Sequence, residues 1–296
     1  MLLSTIHLQA LFAITLSVNV QGIPPALRVL HHSSAASFLN AVSNVIIGEN
    51  EAIVIDSGFT KSAALDMIAF IKKNTNLPVT KIFATHEHPD HYFGATEFLK
   101  VYPNALLLAS PRVVNTMKQH VHEKVNKWTS VYGPDEIPRS PRVAGPYRQT
   151  EITLKGNENE PIELLQPLQG DVEDVTVYWI PSQKILLAGD LVYSSKEHVW
   201  LAEAMGAKNR ENWIRSLKYL LSLQPLQVIG GHIPGTEEPK VSDIDASIEY
   251  IEYFNRNVYG KNYSAKEIFD KMKSRFPDRV GLANLNYTAT TYGRKE

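Results

Sequence analysis

The amino-acid sequence predicts a layered α/β fold. Short runs of branched apolar residues alternate with longer segments whose apolar side chains recur every three to four positions. The alternation runs loosely through both halves of the chain. The histidines and aspartates suited to chemistry fall where apolar runs end, and layered α/β proteins place their ligands there.

Residues 38–47 and 52–55 read as two strands joined at Gly48-Glu49-Asn50, and Asp56-Ser57-Gly58 ends the second. Residues 60–73 carry a helical pattern with Leu65, Ile68 and Ile71 on one face. A short strand at 81–84, a helix over 92–102, a strand at 105–108 and a helix over 112–128 follow. Residues 130–147 are rich in proline and glycine and read as a long loop, a kind of segment that is often functional. The second half brings strands near 162–165, 175–180 and 185–188, then a helix over 209–223 with Trp213, Leu217, Leu220 and Leu221 on one stripe. A strand at 227–229 precedes two helices, over 242–257 and 264–276. The last of these starts with a capping box, Ser264-Ala265-Lys266-Glu267.

The 30 basic and 31 acidic residues leave a net charge of −1, so nothing favours a nucleic-acid polyanion as partner. The chain has no cysteine, which excludes a disulfide scaffold, a thiolate ligand and a cysteine nucleophile. Metal binding must rest on ten histidines and the carboxylates. No segment beyond the N-terminus reaches the ~20 apolar residues of a membrane span. Residues 8–20 are apolar but short, and fit the core of a signal peptide over residues 1–22, although no Lys or Arg precedes them. The expected organisation is this signal, a main domain over 23–240, and a helical extension over 241–296 packed on the same domain. A secreted or extracytoplasmic location follows, and the sequons at Asn262 and Asn286 are compatible with it.

The segment Ala84-Thr85-His86-Glu87-His88-Pro89-Asp90-His91 holds four candidate ligands within six residues. Imidazole and carboxylate suit zinc, iron or manganese. A turn lets His86 and His88 converge on one ion while Asp90 and His91 reach its neighbour. A solvated polar loop is the bland alternative, but three histidines and an aspartate at this spacing rarely arise in one. Asp190 and His232 stand at two further strand ends. Singly, each could be a turn or surface residue; together and in this order they complete a metal set.

The His-x-His-x-Asp-His run after an apolar strand resembles the signature of the metallo-β-lactamase superfamily, and the resemblance covers roughly residues 38–235. It implies a four-layer αββα sandwich with metals at one edge of the two sheets. Asp56 matches the family's first acidic motif, which supports the metal loop. Ile185-Leu186-Leu187-Ala188-Gly189-Asp190 matches the strand whose Gly-Asp carboxylate bridges two metals, and Val228-Ile229-Gly230-Gly231-His232 matches the terminal Gly-His. The family also has a third histidine on the first ion. Here that region reads Leu168-Gln169-Gly170-Asp171-Val172-Glu173-Asp174-Val175. The position falls on Gly170 or Asp171, and Asp171 is the natural substitute because carboxylate oxygen binds zinc at about 2.0–2.2 Å. An extra carboxylate would lower Lewis acidity and move preference toward manganese or iron; alternatively the first site is weak.

The implied chemistry is hydrolysis of a lactone, lactam, thioester or related ester by a metal-bound hydroxide, with one or two zinc ions. Asp90 or Asp171 can carry the proton, and Tyr193 can donate to the oxyanion. His198 and Trp200 are candidate substrate contacts, with His198 also able to fill the vacant histidine position; packing is the alternative for both. There is no Gly-x-Ser-x-Gly elbow for a serine hydrolase. Two other classes compete: a mononuclear iron oxygenase of the same fold, using two histidines and a carboxylate, and a non-catalytic metal-binding relative. The loops 130–147 and 193–206, with Tyr132, Tyr147, Trp200, Leu201 and Met205, are expected to shape a pocket for a small, largely apolar substrate.

Overall fold

A computed structural model describes residues 26–235 and 237–295; the expected signal peptide lies outside them. Two mixed sheets stack face to face. The first runs in order β1 (Arg28–Ser33), β2 (Val42–Ile47), β3 (Ala52–Ile55), β4 (Val79–Phe83), β5 (Leu106–Ala109) and β6 (Gly145–Pro146). The second runs β11 (Gln227–His232), β10 (Ile185–Tyr193), β9 (Val175–Ile180), β8 (Ile162–Leu168) and β7 (Glu151–Ile152).

Alternate side chains of each strand face opposite sides. Ile46, Ile53, Ile55 and Phe83 point inward and meet Ile162, Leu164, Tyr178, Ile180, Leu187 and Ile229 of the second sheet. Their neighbours Val45, Ile47, Val54 and Ile82 point outward onto α1 (Lys61–Asn74) and α3 (Ala95–Val101). The outer face of the second sheet is covered by α5 (Ala207–Ser222), α6 (Asp243–Asn257), α7 (Ala265–Arg275) and α8 (Leu282–Tyr292). The layers are therefore helix, sheet, sheet, helix. Burial on both faces explains why the strands read as unbroken apolar runs. Two more helices, α2 (Pro89–Tyr92) and α4 (Pro111–Tyr132), flank the edge where the metal motif lies. Helices α6, α7 and α8 share one core with β10 and α5, so they form an integral outer layer. No described helix is long and apolar enough to cross a membrane.

Several elements differ from the sequence reading. The strand expected over 38–47 starts at Val42, because Leu39 and Asn40 take left-handed backbone (φ 70° and 54°). The helix expected over 92–102 is two pieces, since the Gly94 N–H donates across to the Gly58 carbonyl instead of continuing the helix. Helix α4 runs on to Tyr132, into the segment read as loop, and β10 runs on to Tyr193. Strand β1 and helix α8 escaped the reading altogether. The sequence of α8, rich in Asn, Thr and Tyr, has weak helix propensity. Burial of Asn284, Leu285, Thr288 and Ala289 holds it in place, and the Thr288 hydroxyl accepts a hydrogen bond from the Leu201 N–H at 3.1 Å.

Candidate metal centre

Five chain segments converge at one edge of the sandwich. The turn after β4 and helix α2 bring His86, His88, Asp90 and His91; the β8–β9 turn brings Asp171; β10 brings Asp190; β11 ends at His232. All seven side chains are buried. His86, His88, Asp171 and Asp190 each offer a ligand atom within 4.8 Å of the others, and so do Asp90, His91 and His232. Asp190 joins the sets: Oδ1 lies 3.0 Å from His91 Nε2, and Oδ2 lies 3.0 Å from His232 Nε2.

Each imidazole is pinned from its far side. His86 Nδ1 lies 2.9 Å from the Thr85 hydroxyl, His91 Nδ1 2.8 Å from Asp56 Oδ2, and His232 Nδ1 2.8 Å from the Leu39 carbonyl. His88 is turned the other way, with Nε2 2.6 Å from Glu203 Oε2 and Nδ1 2.9 Å from Asp171 Oδ2. A nitrogen that donates to an oxygen on one side leaves the other nitrogen's lone pair for a metal, the arrangement that orients metal-binding histidines. The atoms facing inward fit a cation. His86 Nε2, His91 Nε2 and Asp190 Oδ1 are buried without a hydrogen-bond partner among the described residues, and Asp171 Oδ2 faces the imidazole nitrogens of His88 and His86. The 3.0 Å separation of His91 Nε2 from Asp190 Oδ1 lacks hydrogen-bond geometry although it is short enough for an ion pair. Ligand atoms around a tetrahedral ion with ~2.1 Å bonds stand roughly 3.4 Å apart; Asp171 Oδ2 lies 2.9 Å from His88 Nδ1 and 3.9 Å from His86 Nε2.

Local backbone explains the motif residues. Asp56 has φ 62° and accepts from the Thr85 N–H and hydroxyl as well as facing His91. Aspartate tolerates that conformation better than most residues, and its strain is held by these bonds. A Cβ on Gly231 would lie 2.0 Å from Asp190 Oδ1, so only glycine can precede His232 there.

The electrostatics are those of a crowded charge cluster. Burial holds His86 well below the ordinary imidazole range. Burial also opposes charge on His88 and His91, yet Glu203 and Asp171 beside the first, and Asp190 and Asp56 beside the second, raise both well above it. His232 overcomes the same burial penalty through Asp190 and rises to about 9. Burial pushes Asp171 up to about 7. For Asp190, burial is outweighed by His232 and His91, which hold its carboxyl well below the usual range.

The structure brings Asp171, and not Gly170, to the first donor set. A side chain on Gly170 would run into Val175 Cγ2 at 2.9 Å and the Leu191 Cα at 3.3 Å. Tyr193 reaches the centre, but its hydroxyl is engaged with Asp190 Oδ2 at 2.5 Å. The ring also stacks on His232 at 5.0 Å. Trp200 lines the cavity in front of the metal set. The expectation for His198 is corrected. Its ring is turned away from the cavity onto α6, with Nδ1 2.9 Å from the Tyr250 hydroxyl, because the backbone N–H of His198 is bonded to the Val280 carbonyl of the C-terminal layer. It neither lines the cavity nor fills the missing ligand position.

A cavity of about 70 Å³ lies in front of these donors. Its walls include Leu39, Trp128, Trp200, Lys124, Lys127, Glu203 and Asn284. The 193–206 segment contributes as expected, but the 130–147 segment does not. Tyr132 packs on Phe59 and Trp128, and Tyr147 on Phe83, while the end of α4 supplies the wall instead. Glu203, Thr85 and the α4 lysines went unread in the sequence. Glu87 was visible within the motif; it pairs with Lys124 at 2.7 Å.

This geometry sets two adjacent groups of imidazole and carboxylate donors, each able to hold a cation, at the edge of an αββα sandwich. The chain belongs to the metallo-beta-lactamase superfamily, which it matches over residues 36–232. The hydroxyacylglutathione hydrolase of Francisella philomiragia subsp. philomiragia is 43% identical over 65 residues, 22% of this chain. That match spans 24% of the relative's length. Among solved structures, the DIM-1 metallo-beta-lactamase exposed to ceftazidime aligns with TM-score 0.56 at 22% identity, over 77% of this chain and 98% of its own. A metallo-beta-lactamase family protein from Thermus thermophilus aligns with TM-score 0.59 at 15% identity, over 89% of this chain and 90% of its own. These two share the fold.

Proposed function

We propose that the chain is a metal-dependent hydrolase acting on a carboxyl-derived bond: a lactone, lactam, thioester or related ester. The observation that carries this reading is the set of four imidazoles, each pinned from behind, aimed with Asp90, Asp171 and Asp190 at one place beside a cavity. Two divalent ions, zinc in the first instance, would be held by His86, His88, Asp171 and Asp190 on one side and by Asp90, His91, Asp190 and His232 on the other. Zinc so held supplies Lewis acidity and lowers the pKa of water.

The chain's own residues divide the remaining work. Asp90 Oδ2 lies 3.5 Å from His232 Nε2 and 3.6 Å from His91 Nε2, and the residue lines the cavity. It is the carboxylate that can take up a proton and return it to a leaving group. Asp171 is fully buried behind His88, so proton traffic to substrate falls to Asp90. The Tyr193 hydroxyl steadies Asp190 and acts as a positioning group. A second donor set beside the first supports this reading over a mononuclear iron oxygenase. The relative named a hydrolase supports it further.

The test is metal analysis of the purified full chain, then a panel of lactone, β-lactam, thioester and phosphodiester substrates with added zinc, manganese or iron. The expected result is two ions per chain and turnover of a carboxyl-derived substrate, abolished by chelation and restored by metal. Filled sites with turnover of the phosphodiester alone, or of nothing, would overturn the proposal.

A further inference from the structure

Helix α4 presents Lys124 and Lys127 to the cavity one turn apart. Their situations differ. The Lys124 ammonium is 2.7 Å from Glu87 Oε2 and its charge is spent there. The Lys127 ammonium makes no side-chain hydrogen bond or ion pair to any described residue. It sits over three aromatic rings instead: Tyr287 at 4.8 Å, Trp128 at 4.9 Å and Trp200 at 5.7 Å. Ring faces attract a cation and fix its position, but they leave its N–H donors unused.

Lys127 is also well placed relative to the metal set. The Trp200 ring stands between them, 6.3 Å from the His88 ring and 5.7 Å from the Lys127 ammonium. The carboxylates near this wall are otherwise occupied: Glu203 faces His88 and Glu87 faces Lys124. Glu123, four residues before Lys127, lines the same cavity and its charge acts on Lys127, but it forms no ion pair with the ammonium. A molecule whose reacting carbonyl lay at the metal set would lay its body along Trp200 and Trp128. Its far end would then meet a fixed cation with unused donors.

We propose that Lys127 reads a negative charge on the substrate, so that the site takes amphipathic anions with an apolar body and an acidic group remote from the scissile bond. This narrows the apolar substrate expected from the sequence, and it rests on the hydrolytic reading of the same site. Trp128, Trp200 and Leu39 serve the body, and Lys127 sets specificity.

The test is binding, measured by calorimetry on the zinc-loaded full chain with two probes of nearly the same shape, one anionic and one neutral: 4-phenylbutane-1-sulfonate and methyl 4-phenylbutyl sulfone, in which a methyl replaces one sulfonate oxygen. Sulfonate is a weak zinc ligand, which keeps the metals from dominating. The sulfonate should bind about 3- to 5-fold more tightly, the upper end of what an ion pair at an exposed lysine gives. In Lys127→Met and Lys127→Gln the preference should shrink to within about 2-fold, and Lys127→Arg should restore it. Equal affinity for both probes in the parent protein, or a preference that persists in the two neutral variants, would refute the assignment. Turnover plays no part in this readout. Inactivity toward every ester would count against hydrolysis, while the sulfonate preference would still decide the role of Lys127.

Discussion

The two donor sets share Asp190 but are supported in different ways. In the second, His91 rests on Asp56 at the end of β3 and His232 on the Leu39 carbonyl, both part of the buried frame. In the first, His86 rests on Thr85, but His88 rests on Glu203, whose side chain is 36% exposed in the segment bordering the cavity. The first set also carries two carboxylates, Asp171 and Asp190, beside its two imidazoles. A site braced by strand ends keeps its geometry without a cation; one braced by a surface carboxylate depends more on its ion. The second set should therefore hold metal more firmly, and the first should be the one that exchanges.

The largest effect should come from Asp190→Ala, which removes the carboxylate common to both sets. Metal content should fall from two ions toward none, and turnover with it. Elemental analysis checks this, and full occupancy in the variant would remove Asp190 from its bridging place.

A smaller and one-sided effect is expected of Asp171→Asn, which keeps size but removes charge. Affinity at the first set should drop by about 10- to 100-fold or more, with the second set nearly unchanged. Site-resolved titration with cobalt as a spectroscopic substitute measures both. Equal weakening at the two sets would erase the distinction drawn between them.

The smallest effect is in the pH dependence. His91 and His232 are raised, the latter to about 9, against His88 alone among the imidazoles of the first set, where His86 is lowered. Groups with raised pKa carry protons at neutral pH, and a metal must displace them. Affinity should thus rise with pH at both sets and, above about 7 where Asp171 no longer holds a proton, more steeply at the second, by up to about 100-fold per unit for two protons. Competition titrations against a chelator from pH 6.5 to 8.5 give the slopes. A flat or reversed order would contradict the charge assignment.

Much of the site was legible because its signals are local. His86, His88, Asp90 and His91 lie within six residues, and Asp190 and His232 each follow a glycine after an apolar run, the first within β10 and the second at the end of β11. Tyr193 was expected near the centre from its closeness to Asp190 in sequence and Trp200 from the aromatic content of its segment, and both line the cavity. His198, two residues from Trp200, faces the opposite way. Residues 194–200 form no strand, so the alternation that would put 198 and 200 on one face does not apply, and proximity in sequence does not say which way each side chain turns.

The sequence by itself determined the layered α/β architecture, the order of most strands and helices, and a ligand chemistry of imidazole and carboxylate without thiolate. These follow from hydrophobic period and side-chain type, which need no knowledge of distant residues. Tertiary structure alone decided between Gly170 and Asp171, paired His88 with Glu203 across 115 residues, and made the end of α4 the cavity wall. It also held α8 helical against its own propensity. Each of these depends on how far apart separately folded segments come to rest. That distance is set by the packing of two sheets and two helical layers, and no single stretch of chain encodes it.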